Sequence, residues 1–288
     1  MGYSRVGIVT GANKGIGLAI VRQLALQYPK SSLNSGPFLI YLTARDKGRG
    51  EAALKALHED AQLQKAKALK EHGGLSEIKY HQLDITDRKS VDAFAAHLKQ
   101  AHRDGIDVVI NNAGIALNGF DANVVKTTLG CNYYNTMEAC HTFLSLFKPE
   151  GRLINVASTG GKLNKYSDEV RNRFLASKSE ADVTSIMKDF ASSVEAGKEK
   201  EAGFPSAAYA VSKAGLIGAT RALAVAEREK GSSVLINSCC PGYVNTDMTK
   251  GNGTLTPDDG AQTPVFLALG DIQGETGEFW KDKKRCEW

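Results

Sequence analysis

Tyr209 and Lys213, within Tyr209-Ala210-Val211-Ser212-Lys213 of the Ala-rich run from Ser206 to Lys230, carry the clearest chemistry in the chain. A Tyr and a Lys four apart share one face of a helix, about one turn from each other. A phenol titrates near pH ~10 when unperturbed, and an adjacent ammonium favours its ionised form and pulls that value toward neutrality. A Tyr tuned this way can hand a proton to a developing alkoxide and recover it. Alone, the pair is a weak signal and reads more readily as an exposed helix face. Other stretches must place it at a site.

The first is a strand–turn–helix. Val6-Gly7-Ile8-Val9-Thr10 is a short β-branched run, followed at once by Gly11-Ala12-Asn13-Lys14-Gly15-Ile16-Gly17 and then by Leu18, Ile20, Val21, Leu24 and Ala25 at helical spacing. Such a unit presents free backbone N–H groups and the positive end of a helix to a pyrophosphate. Gly11 permits the tight turn, Gly15 lets phosphates approach, and Gly17 packs the helix on the sheet. The spacing is GxxxGxG rather than GxGxxG. The next strand, Phe38–Ala44, ends at Arg45 and Asp46, where a site selecting NAD would place an acid. Arg45 and Lys14 would instead put two cations where a 2′-phosphate sits, which favours NADPH over NADH.

Further along, Ile78–Leu83 reads as a third strand running into Asp84-Ile85-Thr86-Asp87 and a helix start. Asp84 is placed either to meet an adenine amino group or to cap that helix. Residues 62–74 read as a surface extension without chemistry. Ile106–Ile110 is a buried strand ending in Asn111-Asn112-Ala113-Gly114, where amides can tie neighbouring strands and the small residues leave room for a flat ring. Arg152–Ala157 is a fifth strand followed by Ser158, and Val234–Ser238 a sixth, followed by Cys239-Cys240-Pro241-Gly242.

TGANKGIG at Thr10–Gly17, NNAG at Asn111–Gly114 and YAVSK at Tyr209–Lys213 come in an order that resembles the short-chain dehydrogenase/reductase family over nearly the whole chain. LTARD at Leu42–Asp46, HQLDI at His81–Ile85, CCPGYVNTDM at Cys239–Met248 and GAQTPVFLAL at Gly260–Leu269 are similar, more finely, to that family's carbonyl reductases. The resemblance implies that Asn132, Ser158, Tyr209 and Lys213 are the catalytic set, with Asn132 holding a water for proton relay. Ser158 would hydrogen-bond the substrate carbonyl. It implies NADPH/NADP as cofactor, held by Gly11, Asn13, Lys14, Gly15, Ile16, Gly17, Arg45, Asp84, Ile85, Asn112, Ala113, Gly114, Tyr209, Lys213, Pro241, Gly242, Val244 and Thr246. Tyr243 would join Ser158 and Tyr209 at the substrate. The stretch Ala116–Val124 looks shorter than in the animal carbonyl reductases.

The interval from Ser158 to Tyr209 is far longer than in most of the family. Ser179-Glu180-Ala181-Asp182 opens an amphipathic stretch with Val183, Ile186, Met187, Phe190 and Val194 at helical spacing, so a helix is inserted there (about residues 162–205). In the similar carbonyl reductases such an insert covers the helix face used for tetramer formation, which implies a monomer. Residues 162–178 are expected to form a flap over the pocket.

Strands alternating with helices predict one doubly wound (Rossmann-type) α/β domain over residues 1–288, with about seven parallel strands. The formal net charge of +4 is spread along the chain, which gives no nucleic-acid or membrane footprint. No run approaches the ~20 apolar residues that span a bilayer, and residues 1–20 lack a cleavage-site pattern. The 5 cysteines have no zinc spacing, so no metal is expected, and their odd number argues against a disulfide framework. A cytoplasmic setting follows most simply, with Cys239 and Cys240 as small core residues and the tail 281–288 as a solvated end. The function that follows is NADPH-dependent reduction of a small-molecule carbonyl: an aldehyde, ketone or quinone. Two other readings are an alcohol or hydroxysteroid dehydrogenase of the same family and a non-catalytic NADP(H) sensor. Arg45 and Lys14 weigh against the first, and the complete Ser158, Tyr209, Lys213 set weighs against the second.

Overall fold

A computed structural model describes residues 2–288, along which strands and helices alternate. Runs apolar on both faces form the central strands, as a sheet covered on both sides requires. β1 (Arg5–Val9) leads through the glycine turn into α1 (Gly15–Gln27). β2 (Phe38–Ala44), buried along its whole length, is followed by α2 (Lys47–His58) and the short α3 (Ala61–Lys65). Next come β3 (Ser76–Gln82), α4 (Arg88–Ala101) and β4 (Ile106–Asn111). α5 (Ala122–Leu129) and α6 (Thr136–Leu144) are joined by one π-helical turn, Gly130–Asn135. β5 (Phe147–Val156) precedes α7 (Asp168–Ala176), α8 (Glu180–Glu195) and α9 (Ala208–Glu229). β6 (Leu235–Cys240), α10 (Pro257–Leu269), β7 (Phe279–Lys281) and β8 (Lys284–Arg285) come last.

The sheet order is β3-β2-β1-β4-β5-β6-β7-β8, parallel from β3 to β7. The direction of winding reverses between β1 and β4, which opens a crevice at their carboxyl ends. On one face α1 and α10 bury Ile20, Leu24, Val265 and Leu267 against Ile40, Ile110 and Ile154. On the other, Leu216 and Ile217 of α9 and Met187 and Phe190 of α8 pack with Leu153 and Ile236, while Phe94 of α4 packs beside Ile8 and Val109.

Three expectations change. The tail, though exposed over residues 282–285, is not a free end: Asp282 and Lys283 adopt φ of 50° and 59°, and this two-residue reversal folds β8 back antiparallel on β7. An eighth strand therefore joins the seven parallel ones. Residues 62–74 are not merely surface, because Leu63, Ala68 and Leu69 are buried in the core. Residues 162–178, expected as a flap over the pocket, are anchored in the core. Leu163, Tyr166, Val170 and Phe174 are all buried, so the segment is a packed arm ending in α7. The inserted helix itself forms as expected, as α8 behind a Ser179–Asp182 capping box, with Val183, Ile186, Met187 and Phe190 buried.

An open cleft of about 500 Å³ lies toward the amino ends of the strands, with Tyr41, His81, His97, His102, Lys79 and Lys148 among its lining residues. Tyr41 Oη lies 3.1 Å from His97 Nε2 and 3.0 Å from His102 Nε2, so it donates to one imidazole and accepts from the other. Burial lowers the pKa of both histidines from 6.5; His81 and Lys79 add to the effect on His97, and His97, Lys148 and Lys79 to that on His102, with Asp107 opposing. The unfolded chain therefore binds more protons than the folded one below that value, and stability falls as pH drops through 6.5. Urea midpoints measured from about pH 7 to about pH 5.5 are expected to decline, and to decline less in a His97→Gln, His102→Gln variant.

Candidate active site

Gly11 and Gly15 adopt left-handed backbone, with φ of +62° and +56°. A Cβ on Gly17 would lie 2.4 Å from the Gly11 carbonyl oxygen and 2.5 Å from Asn112 Nδ2, so α1 meets the sheet where only hydrogen fits. Asn112 Nδ2 donates to the carbonyls of Thr10 (3.0 Å) and Gly11 (3.1 Å), while Thr10 Oγ1 accepts from the N–H groups of Asn112 and Ala113, each at 3.0 Å. These four bonds fasten the glycine turn to the end of β4. No side chain caps α1, and its first turn carries no acid. Its leading N–H groups are therefore left for an anion, the arrangement a pyrophosphate needs. Asn13 and Ile16 are half-buried beside this turn.

Arg45 is exposed just beyond β2, and its carbonyl accepts from Gln82 Nε2 at 2.9 Å. Lys14 does not join it: its Nζ lies 2.6 Å from Asp247 Oδ2, across the mouth of the crevice. Asp84 accepts from the Thr86 N–H and hydroxyl at 2.9 and 2.7 Å in a turn before α4, whose cap is Asp87 rather than Asp84, and Ile85 is buried.

A Cβ on Gly114 would lie 3.1 Å from Asn132 Oδ1 and 3.6 Å from Lys213 Nζ, so the end of β4 faces the catalytic candidates at close range. Asn132 sits in the π-helical turn, a device that often re-aims a functional side chain. It is fully buried, accepts from Ile115 N at 2.8 Å, and donates to Ile115 O at 2.8 Å and Ser212 Oγ at 3.1 Å. Both amide hydrogens are thus used, and one Oδ1 lone pair remains.

Ser158 Oγ accepts from Gly160 N at 3.0 Å and caps the turn Thr159–Gly161. Tyr209, on the first turn of α9, has its phenol beside that hydroxyl. Burial raises its pKa to about 12; the Ser158 side chain opposes the rise and Cys240 adds to it. Lys213, 4% exposed, donates from Nζ to the Val156 carbonyl at 2.7 Å and lies 5.7 Å from the Tyr209 ring centre. Burial pushes its pKa down to about 8. The expected pull of the ammonium on the phenol is therefore not seen. Lys213 is committed to a carbonyl, and desolvation dominates both groups. At neutral pH the phenol holds its proton and the ammonium keeps its charge, which makes a proton donor.

The loop after β6 completes the crevice. Gly242 is left-handed at φ +89°, next to Pro241, and Val244 is buried against the positions of Gly260 and Ile16. A Cβ on Gly15 would come within 3.4 Å of Thr246 Cγ2, so this loop reaches the glycine turn. Tyr243 stands 54% exposed at the rim. Cys239 and Cys240 are buried free thiols, and burial pushes Cys239 up. Among the described residues no His, Cys, Asp or Glu group is arranged to hold a metal ion. Glycine cradle, free helix start and small β4 terminus fit a dinucleotide.

Asn111 ties β4 to β5 as expected, donating to Asn155 Oδ1 at 2.9 Å; the sequence reading missed Thr10, Ser212 and the onward bond from Asn155 to Thr220 at 3.0 Å. Their signal was only polarity inside apolar runs. The family model for short chain dehydrogenases matches residues 5–194 and 190–255, spanning the glycine turn, the end of β4 and the helix that carries Tyr209 and Lys213. The chain belongs to the short-chain dehydrogenase family. Among its family relatives, carbonyl reductase [NADPH] 1 of Bos taurus is 37% identical over 294 residues, covering 98% of each chain. Carbonyl reductase [NADPH] 3 of Rattus norvegicus is 38% identical over 297 residues, covering 99% of each. Salutaridine reductase from Papaver somniferum shares the short-chain dehydrogenase fold with a TM-score of 0.80 at 24% identity, covering 96% of this chain and 99% of that one.

The cradle yields a direct test. Gly17→Ala is expected to weaken NADP binding at least about tenfold, about 1.4 kcal/mol, in a fluorescence titration. Gly130→Ala, where an added Cβ meets nothing within 4 Å, should bind as the parent does.

Proposed function

We propose that the chain is an NADPH-dependent carbonyl reductase that converts aldehydes, ketones or quinones to alcohols. The observation that carries this is the half-buried Tyr209 on the first turn of α9, one helical turn from the buried Lys213 ammonium that is held on the Val156 carbonyl. The carbonyl reductase names of relatives 37–38% identical over essentially whole chains support the same reading.

When bound, NADPH supplies a hydride to the carbonyl carbon. The chain's own groups handle the oxygen. Ser158 Oγ, already accepting from Gly160 N, keeps its hydrogen to donate to the carbonyl oxygen. Tyr209 gives its proton as negative charge develops there, and a donor aimed where charge appears lowers the barrier most. Lys213 places a charge next to the phenolate left behind. Asn132 fixes Ile115 and Ser212, and its remaining Oδ1 lone pair is available to a relay water. Arg45 is the cation for the 2′-phosphate, with Lys14 joining it on release from Asp247.

We further infer that residues 1–288 work as one domain, a monomer in the cytoplasm, without nucleic acid as partner. α8 lies along α9, with Val183 beside Gly218 and Met187 beside Gly215, which occupies the face the resemblance assigns to tetramer contacts. No helix among the described residues is long and apolar enough to cross a membrane.

Tyr209→Phe is expected to cut kcat at least about a hundredfold while NADPH affinity stays within about twofold. Equal loss of both would make Tyr209 structural. Charge on Lys213 is lost as pH rises through about 8, well before Tyr209 titrates at about 12. Reductive kcat/KM is therefore expected to be flat below neutrality and to fall with one-proton dependence near pH 8.

A further inference from the structure

We propose that Trp288 is a positioning residue for the Ser158 turn; the catalytic part of this inference rests on the function proposed above. The β7–β8 reversal brings the chain back across the sheet edge, with Cys286 N donating to Phe279 O at 2.7 Å. Trp288 then lies half-buried where three elements meet. Its ring packs edge-on against Phe174 of α7 at 5.4 Å between centres, and the Arg221 guanidinium of α9 sits 5.5 Å from it. Gly218 gives it room: a Cβ there would lie 2.8 Å from Trp288 Cη2.

The indole Nε1–H donates to the Gly161 carbonyl at 3.1 Å. Gly161 is the last residue of the turn that Ser158 caps. Its own N–H donates to Ser158 O at 3.0 Å, and Gly160 N donates to Ser158 Oγ, also at 3.0 Å. Gly161 is pressed against the catalytic helix as well: a Cβ on it would lie 2.6 Å from Ala214 N and 2.7 Å from the Lys213 carbonyl carbon. The turn is thus clamped between the Lys213–Ala214 peptide on one side and the indole on the other. Since the Gly160 N–H fixes the Ser158 hydroxyl, whatever holds the turn sets where that hydroxyl points relative to Tyr209. Removing the indole N–H frees the Gly161 carbonyl and lets the turn lift from α9, while the binding crevice at the glycine turn is untouched.

Trp288→Phe keeps an aromatic ring against Phe174 and loses the N–H. The expected loss in kcat is about five- to tenfold, the effect of one neutral hydrogen bond, with NADPH affinity within about twofold of the parent. In a Ser158→Ala background the same substitution should cost nothing further, because a residue acting through Ser158 has nothing left to position. Independently of turnover, amide exchange at Gly160 and Gly161 should accelerate about tenfold, with Ile217 in the middle of α9 unchanged. An unchanged kcat, an equal loss in the Ser158→Ala background, or unaltered exchange at both glycines would each overturn the proposal. Failure of the parent protein to reduce any carbonyl would sink the functional reading instead, and the exchange measurement would still decide the role of Trp288.

Discussion

The site depends on a lysine ammonium buried in the sheet–helix interface and satisfied by one backbone carbonyl. Lys213 Nζ donates to Val156 O at 2.7 Å, which ties α9 to the last residue of β5. Leaving such a charge without a partner would be costly, so the elements around it are constrained together. β5 must end where its carbonyl can turn to α9. The turn after β4 needs a residue as small as Gly114, because a Cβ there would press on Asn132 Oδ1 at 3.1 Å and approach Nζ at 3.6 Å. The π-helical turn follows from the same crowding, since it brings Asn132 inward to bond Ile115 and Ser212, the residue before the lysine.

Burial also decides the electrostatics. A phenol and an ammonium in a wet site would each favour the other's charged form, lowering the phenol and raising the ammonium. Here desolvation acts first on both, lifting Tyr209 and lowering Lys213, and it favours the neutral phenol as well as the neutral amine. The phenol keeps its proton at neutral pH, as a proton donor must.

Much of this was legible in the sequence because it is local. The strand runs, the glycine turn, the helix carrying Tyr209 and the Ser179–Asp182 cap of the inserted helix all sit where spacing places them. What spacing could not show is contact between distant residues. Thr10 Oγ1 takes its two N–H groups from more than a hundred residues along the chain. Leu63 reads as part of a charged, exposed stretch until the core it fills is known. The reversal at Asp282 and Lys283 lacks the glycine that announces such turns, so β8 and the docking of Trp288 went unread. The sign of the Tyr209 shift depends on burial, which a pair of residue types does not encode.

The most direct test of the central claim is consumption of NADPH, followed by its absorbance, with an aromatic aldehyde, an α-diketone, a quinone and a steroid ketone, each repeated with NADH. The account requires carbonyl-dependent oxidation of NADPH with at least one of the four, and little with NADH. No turnover with any of them, while NADPH binds tightly, would contradict it.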